Sequence, residues 1–378
     1  MTAAELEPSI AATLAGGATV RALGPYALRS VADVKTALET FLSAKAGRAM
    51  TVSNLKRMGG GASKEQFVFE IPNAESGTMR CVLRMDPLEA AVLTNREREF
   101  AVLRAMQKVI PVPDALWLDS EGSTLGRPAL ITSFVPGVTK PSNITTNVSG
   151  FGTVLGADLR RALAHPFIRH LSAIHQFDWR RLPRDLFQAP DADPKQAARW
   201  QINWWTEVWR NDALCGIPLM GLAERWLREH LPATRELVLV HSDYRTGNFL
   251  FDEARQEITA VLDWELAHIG DYHQDLAWIA IKAWSHVENG VLLASGLMPI
   301  DELINRYQAE TGRVVDRQTL FFYQVLSVYQ CVVICLGTSL RAAHEAHNHQ
   351  DALLSWLAAA GYVFLSDLAD LLDAGALP

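Results

Sequence analysis

The sequence predicts an α+β fold of two lobes: a small antiparallel β lobe that includes one helix, followed by a larger, mainly helical lobe. Apolar residues alternate in several segments before residue 136 and mostly recur at helical spacing after it. The turn signal Pro136-Gly137 separates the two patterns. A chain of 378 residues with 49% hydrophobic content is long enough to bury a core in each lobe.

The change of pattern divides the chain into three segments. These are an N-terminal arm over residues 1–31, an N-lobe over residues 32–136 and a C-lobe over residues 137–378. Apolar residues in the arm follow no clear period, so we expect it to lack regular structure.

In the N-lobe, apolar residues recur at helical spacing over residues 32–46 and predict a helix. Alternation around Phe67 and Phe69 indicates strands, with glycines in the turns between them. The predicted strands are 50–58, 66–71, 79–85, 115–118 and 128–134. A helix over residues 95–108 precedes the last two strands and is ended by Pro111-Val112-Pro113.

Helical periodicity dominates the C-lobe. The predicted helices are 153–176, 195–211, 219–230, 273–286, 300–311, 317–345 and 350–373. A short β segment over residues 237–262 interrupts them after the third helix.

Composition restricts the class of protein. The net charge of −7 disfavours broad nucleic-acid binding, which needs a positive surface. The first ten residues lack the basic region of a signal peptide, and the apolar stretch 325–336 is too short to span a bilayer, so we expect no membrane segment. The cysteines show neither zinc nor redox spacing, which favours a reducing cytoplasmic location.

The segment that carries chemistry begins where an apolar strand ends in His241-Ser242-Asp243. Asn248 follows Asp243 by five positions, and a second apolar strand ends in Asp263. Phosphoryl transfer needs a carboxylate that orients the acceptor hydroxyl, and oxygen ligands that hold Mg²⁺ on the triphosphate. We therefore predict Asp243 as the catalytic base, and Asn248 and Asp263 as metal ligands brought together by the two β segments.

This pattern, with Asp263-Trp264-Glu265 in place of the kinase Asp-Phe-Gly, resembles the aminoglycoside phosphotransferase and choline kinase branch of the kinase superfamily. Gly270-Asp271 and Asp275-Leu276-Ala277 match a run found downstream in that family. The resemblance covers residues 50–290. It implies a protein-kinase-like bilobal fold, with ATP and Mg²⁺ as cofactors and a small hydroxylated molecule as acceptor. It also implies that Asp275 hydrogen-bonds the catalytic loop, whereas Asp271 could equally be a helix-capping acid.

The N-lobe fits the same resemblance. Backbone N–H groups of a glycine-rich loop between two strands can cradle phosphate oxygens. Arg84 occupies the place of the phosphate-binding lysine of kinases and is similar to the branch fused to acyl-CoA dehydrogenases, with Glu99 as its expected partner and Glu97 as the competitor. The expected nucleotide-contacting residues are Gly59, Gly60, Gly61, Ala62, Ser63, Arg84, Glu99 and, at the adenine hinge, Ser133, Phe134 and Val135.

Several residues have two interpretations. Arg245 lies where kinases often place a cation on the γ-phosphate, and a surface salt bridge is the alternative. Tryptophans recur at helical spacing, which favours core packing over an aromatic wall for an apolar acceptor. These tryptophans are Trp200, Trp204, Trp205 and Trp209. The histidines of segment 344–349 lack the spacing of a zinc protease and are interpreted as a solvated helix end, and His175 as a buried structural histidine.

Three functional hypotheses remain. A working kinase is favoured, because the predicted base and both metal ligands are present. A nucleotide-binding pseudoenzyme would use the same fold as a scaffold. A metal hydrolase would be built on His241, Asp243, Asp263, His268 and His273, but it leaves the glycine-rich loop and Arg84 unexplained.

The acceptor is less well determined than the chemistry. Mild net acidity and a tryptophan-rich C-lobe favour an apolar hydroxylated metabolite over a polycationic aminoglycoside. The resemblance to the branch fused to acyl-CoA dehydrogenases suggests a hydroxyacyl-CoA. The sequence does not distinguish ATP from GTP, or a monomer from a homodimer.

Overall fold

The computed structural model describes residues 5–20, 25–59, 63–73, 77–144 and 151–375. The N-terminal segment, expected to lack regular structure, contains a helix at Pro8–Val20 (α1). Preceding residues attach it to the rest of the molecule: Glu7 pairs with buried Arg98, and Asn203 Nδ2 donates to the Glu5 carbonyl at 2.7 Å. These long-range contacts leave no periodic trace in the sequence, which is why the expectation was wrong here.

The N-lobe contains a five-stranded antiparallel sheet, one face of which packs against the helix Val31–Ala46 (α2). In chain order its strands are Ser53–Arg57 (β1), Glu65–Asn73 (β2), Gly77–Met85 (β3), Ala115–Asp119 (β4) and Ala129–Ser133 (β5), and their order in the sheet is β1-β2-β3-β5-β4. Phe67 and Phe69 on β2 are fully buried and share one apolar core with Leu38 and Phe41 of α2. The alternating pattern of the sequence therefore marks the face of the sheet that packs on α2.

The helix between β3 and β4 spans Arg96–Met106 (α3). Asn95 Oδ1 caps it by accepting a hydrogen bond from the Glu97 backbone N–H at 2.7 Å. Its first turn is charged yet largely buried, with Arg96 and Glu99 at 2% and 0% exposure. These charges therefore belong to the interior of the molecule and need partners there.

The C-lobe begins with three helices, Ala157–Gln176 (α4), Gln196–Asp212 (α5) and Pro218–Glu229 (α6). Two small antiparallel pairs follow, formed by the strands Leu237–Val240 (β6), Phe249–Asp252 (β7), Glu257–Val261 (β8) and His268–Asp271 (β9). β6 pairs with β9, and β7 pairs with β8. The sequence predicted the first three of these strands as one β segment and missed β9.

The predicted helix over residues 273–286 is shorter than expected. The helix His273–Ile279 (α7) ends early, and a three-stranded sheet follows, formed by His286–Glu288 (β10), Val291–Ala294 (β11) and Met298–Pro299 (β12). Gly290 and Gly296 have φ of +78° and +68° in its turns, where glycine has no steric penalty. The helical periodicity of residues 273–286 therefore predicted too long a helix, because the turns at these glycines form a sheet instead.

The chain ends in a helical layer that starts with Ile300–Thr311 (α8). Arg317–Val332 (α9) continues through a π-helical stretch, Val333–Ser339, into Leu340–His344 (α10), and Asp351–Ala374 (α11) closes the layer. Two helical stretches, Arg317–His344 and Asp351–Ala374, are long and apolar enough to cross a membrane by length and composition. The apolar window of the first is 89% buried inside the protein and that of the second 28%, and a buried core helix meets the same criteria, so this is weak evidence for a membrane span.

Candidate active site

The predicted catalytic loop follows β6 and turns sharply at Ser242, whose φ is +68°. Asp275 at the start of α7 holds this turn. Its two carboxylate oxygens accept the backbone N–H of His241 at 2.9 Å and that of Ser242 at 2.7 Å. The hydrogen bond that the family resemblance implied between Asp275 and the loop is therefore present.

Asp275 is itself held by a buried chain of hydrogen bonds. His175 Nε2 lies 2.9 Å from Asp275 Oδ2, and His175 Nδ1 lies 2.7 Å from the Tyr307 hydroxyl. Burial opposes ionisation of Asp275, but the hydrogen bond and charge of His175 outweigh it and hold the pKa of this carboxyl below its ordinary value. Helices α4, α7 and α8 thus converge on the loop.

Replacing Asp275 with Ala is expected to destabilise the protein strongly. The change leaves buried His175 and two loop N–H groups without their acceptor, which costs about 3–5 kcal/mol. Chemical denaturation followed by tryptophan fluorescence measures the loss. Asp158→Ala is the matched control, because the Asp158 side chain is 81% exposed, and a shift of the same size there would contradict the assignment.

Asp243 directly follows the turn at Ser242, and 17% of its side chain is exposed. Its Oδ1 accepts two hydrogen bonds, from Arg245 Nε at 2.9 Å and from Trp278 Nε1 at 2.7 Å. Burial raises the pKa of Asp243, although the charge of Arg245 opposes the shift. Arg245 is therefore part of a largely buried ion pair, and its guanidinium also stacks 4.3 Å from the Trp284 ring centroid.

Asn248 joins the loop to the β7–β8 pair. Its Nδ2 donates to the Asp243 carbonyl at 2.9 Å, and its backbone carbonyl accepts the Leu262 N–H at 2.8 Å. Because Asp263 directly follows Leu262, Asn248 is held against both acids of the site. Asp263 has φ +66°, an uncommon conformation for a residue other than glycine. These hydrogen bonds bring the three predicted residues together.

Asp263 connects the site to the N-lobe. Arg84 on β3 donates from Nη2 to Asp263 Oδ1 at 2.7 Å and pairs through Nη1 with Glu99 on α3. Although burial raises it, the pKa of Asp263 is held below its ordinary value by the Arg84 charge. The partner of Arg84 is thus Glu99 rather than Glu97, and Arg84 links both lobes.

Four further charged side chains extend this network, and sequence reasoning missed all of them. They are Lys64, Asp86, Arg96 and Glu265. Lys64 is 1% exposed and lies 3.0 Å from Asp86 and 3.4 Å from Glu265. Arg96 lies 3.3 Å from Glu265 and also pairs with Glu99. Charge runs usually lie on a solvated face, so the run at the start of α3 gave no signal of burial.

The expected nucleotide loop is only partly described, because Gly60, Gly61 and Ala62 lie outside the described residues. Gly59 is exposed and Ser63 is half-buried at its two ends. At the expected hinge, the Ser133 N–H donates to the Asp114 carbonyl at 2.9 Å, and the Phe134 N–H donates to the Arg80 carbonyl at 2.9 Å.

Val135 differs from its two neighbours at the hinge. Within the described part of the chain, its backbone N–H has no backbone partner. Among the three expected hinge residues, Val135 therefore has the backbone N–H best suited to donate to an adenine edge.

The tryptophan stripe packs in the core, whereas the late histidines differ from one another, with His344 exposed and His347 buried. Trp205 on α5 is fully buried and stacks on Trp204, with ring centroids 4.9 Å apart, which confirms core packing over an aromatic wall. The interpretation of the late histidines as a solvated helix end was wrong for His347, which is 5% exposed and lies 3.0 Å from Glu89.

Among the residues that the structure describes, no group of three or more His, Cys, Asp or Glu side chains could hold a metal ion.

The site combines the buried carboxylate of Asp243, the side-chain oxygens of Asn248 and Asp263, and an arginine of the other lobe, Arg84, that contacts Asp263. Asn248 uses its amide N–H₂ on the Asp243 carbonyl, which leaves its amide oxygen available. An amide oxygen and a carboxylate are hard ligands that suit Mg²⁺. The donor set therefore fits magnesium, and the arrangement as a whole suits transfer of an anionic group to a hydroxyl.

Comparison with known proteins agrees with this geometry. The model of the phosphotransferase enzyme family, APH, matches residues 54–312, which leaves α1, α2 and the helices from α9 onward outside the match. The chain is 28% identical over 256 residues to acyl-CoA dehydrogenase family member 10 of Mus musculus. That match covers 65% of this chain but 23% of the mouse protein, so the chain spans about a quarter of that relative.

Solved structures share the fold at low sequence identity. A candidate aminoglycoside phosphotransferase from Ralstonia eutropha JMP134 is 22% identical, with a TM-score of 0.59 over 88% of this chain and 98% of that one. An aminoglycoside phosphotransferase, APH(4)-Ia, solved with ADP and hygromycin B, is 17% identical, with a TM-score of 0.56 over 87% and 98% of the two chains. The predicted fold, α+β and protein-kinase-like, is confirmed.

Proposed function

This chain belongs to the phosphotransferase enzyme family, and from that premise we propose that it is an ATP- and Mg²⁺-dependent kinase acting on a small molecule. It would transfer the γ-phosphoryl group of ATP to a hydroxyl. One observation carries the proposal: Asp243, Asn248 and Asp263 meet at one place, and Arg84 reaches Asp263 from the N-lobe.

The nucleotide is proposed to lie between the lobes. Arg84 would contact its phosphates while Glu99 fixes the guanidinium, and the loop from Gly59 to Ser63 would cover them. Adenine would bind the backbone of Phe134 and Val135. The solved relative with bound ADP is similar in fold and supports use of a nucleotide by this chain.

Asp243 is the proposed base. Its free oxygen, Oδ2, would accept the proton of the acceptor hydroxyl as that oxygen bonds to the γ-phosphorus. The bond from this phosphorus to the β–γ bridging oxygen breaks, so the products are the phosphorylated acceptor and ADP. A raised pKa, caused by burial, makes Asp243 a stronger base than an exposed aspartate.

Asn248 and Asp263 are the proposed magnesium ligands, since their oxygens form the donor set that fits this ion. When bound, Mg²⁺ neutralises phosphate charge. Arg84 holds Asp263 ionised by its positive charge, so that this carboxylate is ready to bind a cation. Arg245, fixed between Asp243 and Trp284, is proposed to add a positive charge near the γ-phosphate.

The proposed acceptor is an apolar or weakly charged alcohol, with a hydroxyacyl-CoA as the leading candidate. Among the described residues, aromatic side chains lie on the far side of Arg245. The ring centroids of Phe151 and Trp284 are 5.2 Å apart, and those of Phe151 and Trp356 are 5.5 Å apart. Two acids of α11, Asp367 and Asp370, pair with Lys282. Similarity to a mouse acyl-CoA dehydrogenase family member favours an acyl thioester acceptor.

A screen of hydroxylated compounds tests this proposal. ADP release from Mg·ATP should rise well above the acceptor-free rate with a hydroxyacyl-CoA and remain at that rate with aminoglycosides. The matched acyl-CoA without the hydroxyl is the control, and it should give no stimulation. Stimulation by aminoglycosides alone would contradict the acceptor class, while leaving the phosphotransferase assignment intact.

An inactive nucleotide-binding protein is the second candidate. The observation that favours it is the ion pair between Arg84 and Asp263, since a metal would have to share this carboxylate with Arg84. Such a protein would bind ATP but would not hydrolyse or transfer its γ-phosphoryl group, whichever acceptor is added. ATP consumption that disappears in Asp243→Asn would exclude it.

A further inference from the structure

The carboxylate of Asp243 is held on one side only. Arg245 Nε and Trp278 Nε1 both donate to Oδ1, at 2.9 Å and 2.7 Å. No described residue donates a hydrogen bond to Oδ2. Two donors on one oxygen fix the rotation of the carboxylate and leave the other oxygen as the acceptor for a substrate proton.

Trp278 is placed by the same helix that holds the loop. It follows Asp275 by three positions on α7, so both side chains lie on one face of that helix. Asp275 accepts hydrogen bonds from the backbone of the catalytic loop, and Trp278 donates one to the carboxylate of Asp243 in the same loop. Trp278 is 3% exposed, and its ring centroid is 5.8 Å from that of Trp284, so its indole has little room to turn.

The two donors differ in what else they can do. The Arg245 guanidinium has further N–H groups, and under the proposed function it also serves a phosphate oxygen. The indole of Trp278 has a single N–H and no acceptor atom. The indole cannot accept the proton of the acceptor hydroxyl, and its single N–H is already used on Asp243. Under the proposed function, its hydrogen bond to Oδ1 therefore persists throughout the reaction.

We propose that Trp278 is a positioning residue for phosphoryl transfer: its indole N–H fixes the Asp243 carboxylate so that Oδ2 faces the acceptor hydroxyl. This inference rests on the proposed function.

The test is Trp278→Phe, which removes the N–H and keeps a ring in place. The value of kcat for the acceptor found by the screen should fall by about tenfold or more, since a hydrogen bond to a charged group is lost. The KM for ATP should change by less than about twofold, because Trp278 contacts no proposed nucleotide ligand. If the phenylalanine variant does not fold, Trp278→Met, which also lacks a donor, replaces it.

Trp205→Phe is the matched control. Trp205 is fully buried, and its indole N–H has no hydrogen-bond partner among the described residues, so this change removes a buried indole without removing a bond. Its kcat should stay within about twofold of the wild-type value. An equal fall of kcat in both variants would show that loss of an indole, and not of the bond to Asp243, is responsible.

A second background separates positioning from general damage. In Asp243→Ala the carboxylate is absent, so adding Trp278→Phe should leave the residual turnover unchanged. The proposal is overturned if Trp278→Phe lowers turnover equally in both backgrounds, or if the folded single variant keeps wild-type kcat. Failure of the proposed function would differ from both results, because the wild-type protein itself would then show no acceptor-dependent turnover.

Discussion

Asp243→Asn should lower acceptor-dependent phosphoryl transfer by about 10²–10⁴-fold, the usual contribution of a general base. The amide cannot accept a proton from the acceptor hydroxyl, yet it has nearly the shape of the carboxylate. Its oxygen can still accept from Trp278 and Arg245, so the loop should keep its structure. ADP release and appearance of phosphorylated acceptor, measured together, give the size of the loss.

The control for this variant is nucleotide binding. ATP affinity of Asp243→Asn should stay within a few-fold of the wild-type value, because Asp243 contacts neither Arg84 nor the hinge in the structure. A protein that loses ATP binding and activity together would place Asp243 in the nucleotide site instead. Unchanged transfer by the folded variant would remove Asp243 from the chemistry altogether.

Asp263→Ala is expected to have the second large effect. A bound metal contributes several kcal/mol of charge stabilisation, so kcat should fall by roughly a hundredfold to a thousandfold. Dependence of the remaining turnover on Mg²⁺ concentration should weaken. Lys64 and Arg96 of the N-lobe still pair with Glu265, so the two lobes should still meet in the folded protein.

Glu257→Gln provides the comparison, since Glu257 is an exposed acid at the start of the strand that leads towards Asp263. It should leave turnover and the Mg²⁺ requirement unchanged. Residual activity in Asp263→Ala with an unaltered Mg²⁺ requirement would mean that another side chain binds the metal.

The local part of the site could be predicted from the sequence. Asn248 and Asp263 flank the paired strands β7 and β8, and Asp243 lies five positions before Asn248 in the loop after β6. That is why their convergence followed from spacing alone. The fold class followed equally well, because alternation and helical periodicity report which face of each element is buried.

The long-range part could not be predicted. Lys64 and Glu265 are separated by about two hundred positions, and only the packed lobes bring their charges together. Trp278 belongs to a short helix in which every residue is buried, so nothing in its pattern distinguishes a hydrogen-bonding indole from a core one. The helix α1 was missed for the same reason, since its anchors, Glu5 and Glu7, act on distant residues.

The central claim is that Asn248 and Asp263 hold a metal on the triphosphate beside Asp243. Calorimetric titration with a non-hydrolysable ATP analogue, in Mg²⁺ and then in EDTA, tests it most directly. We expect the wild-type protein to bind the analogue at least about tenfold more tightly with Mg²⁺, and Asp263→Ala to lose that difference. Binding that is absent in both conditions, or a difference that persists in the variant, would contradict the claim.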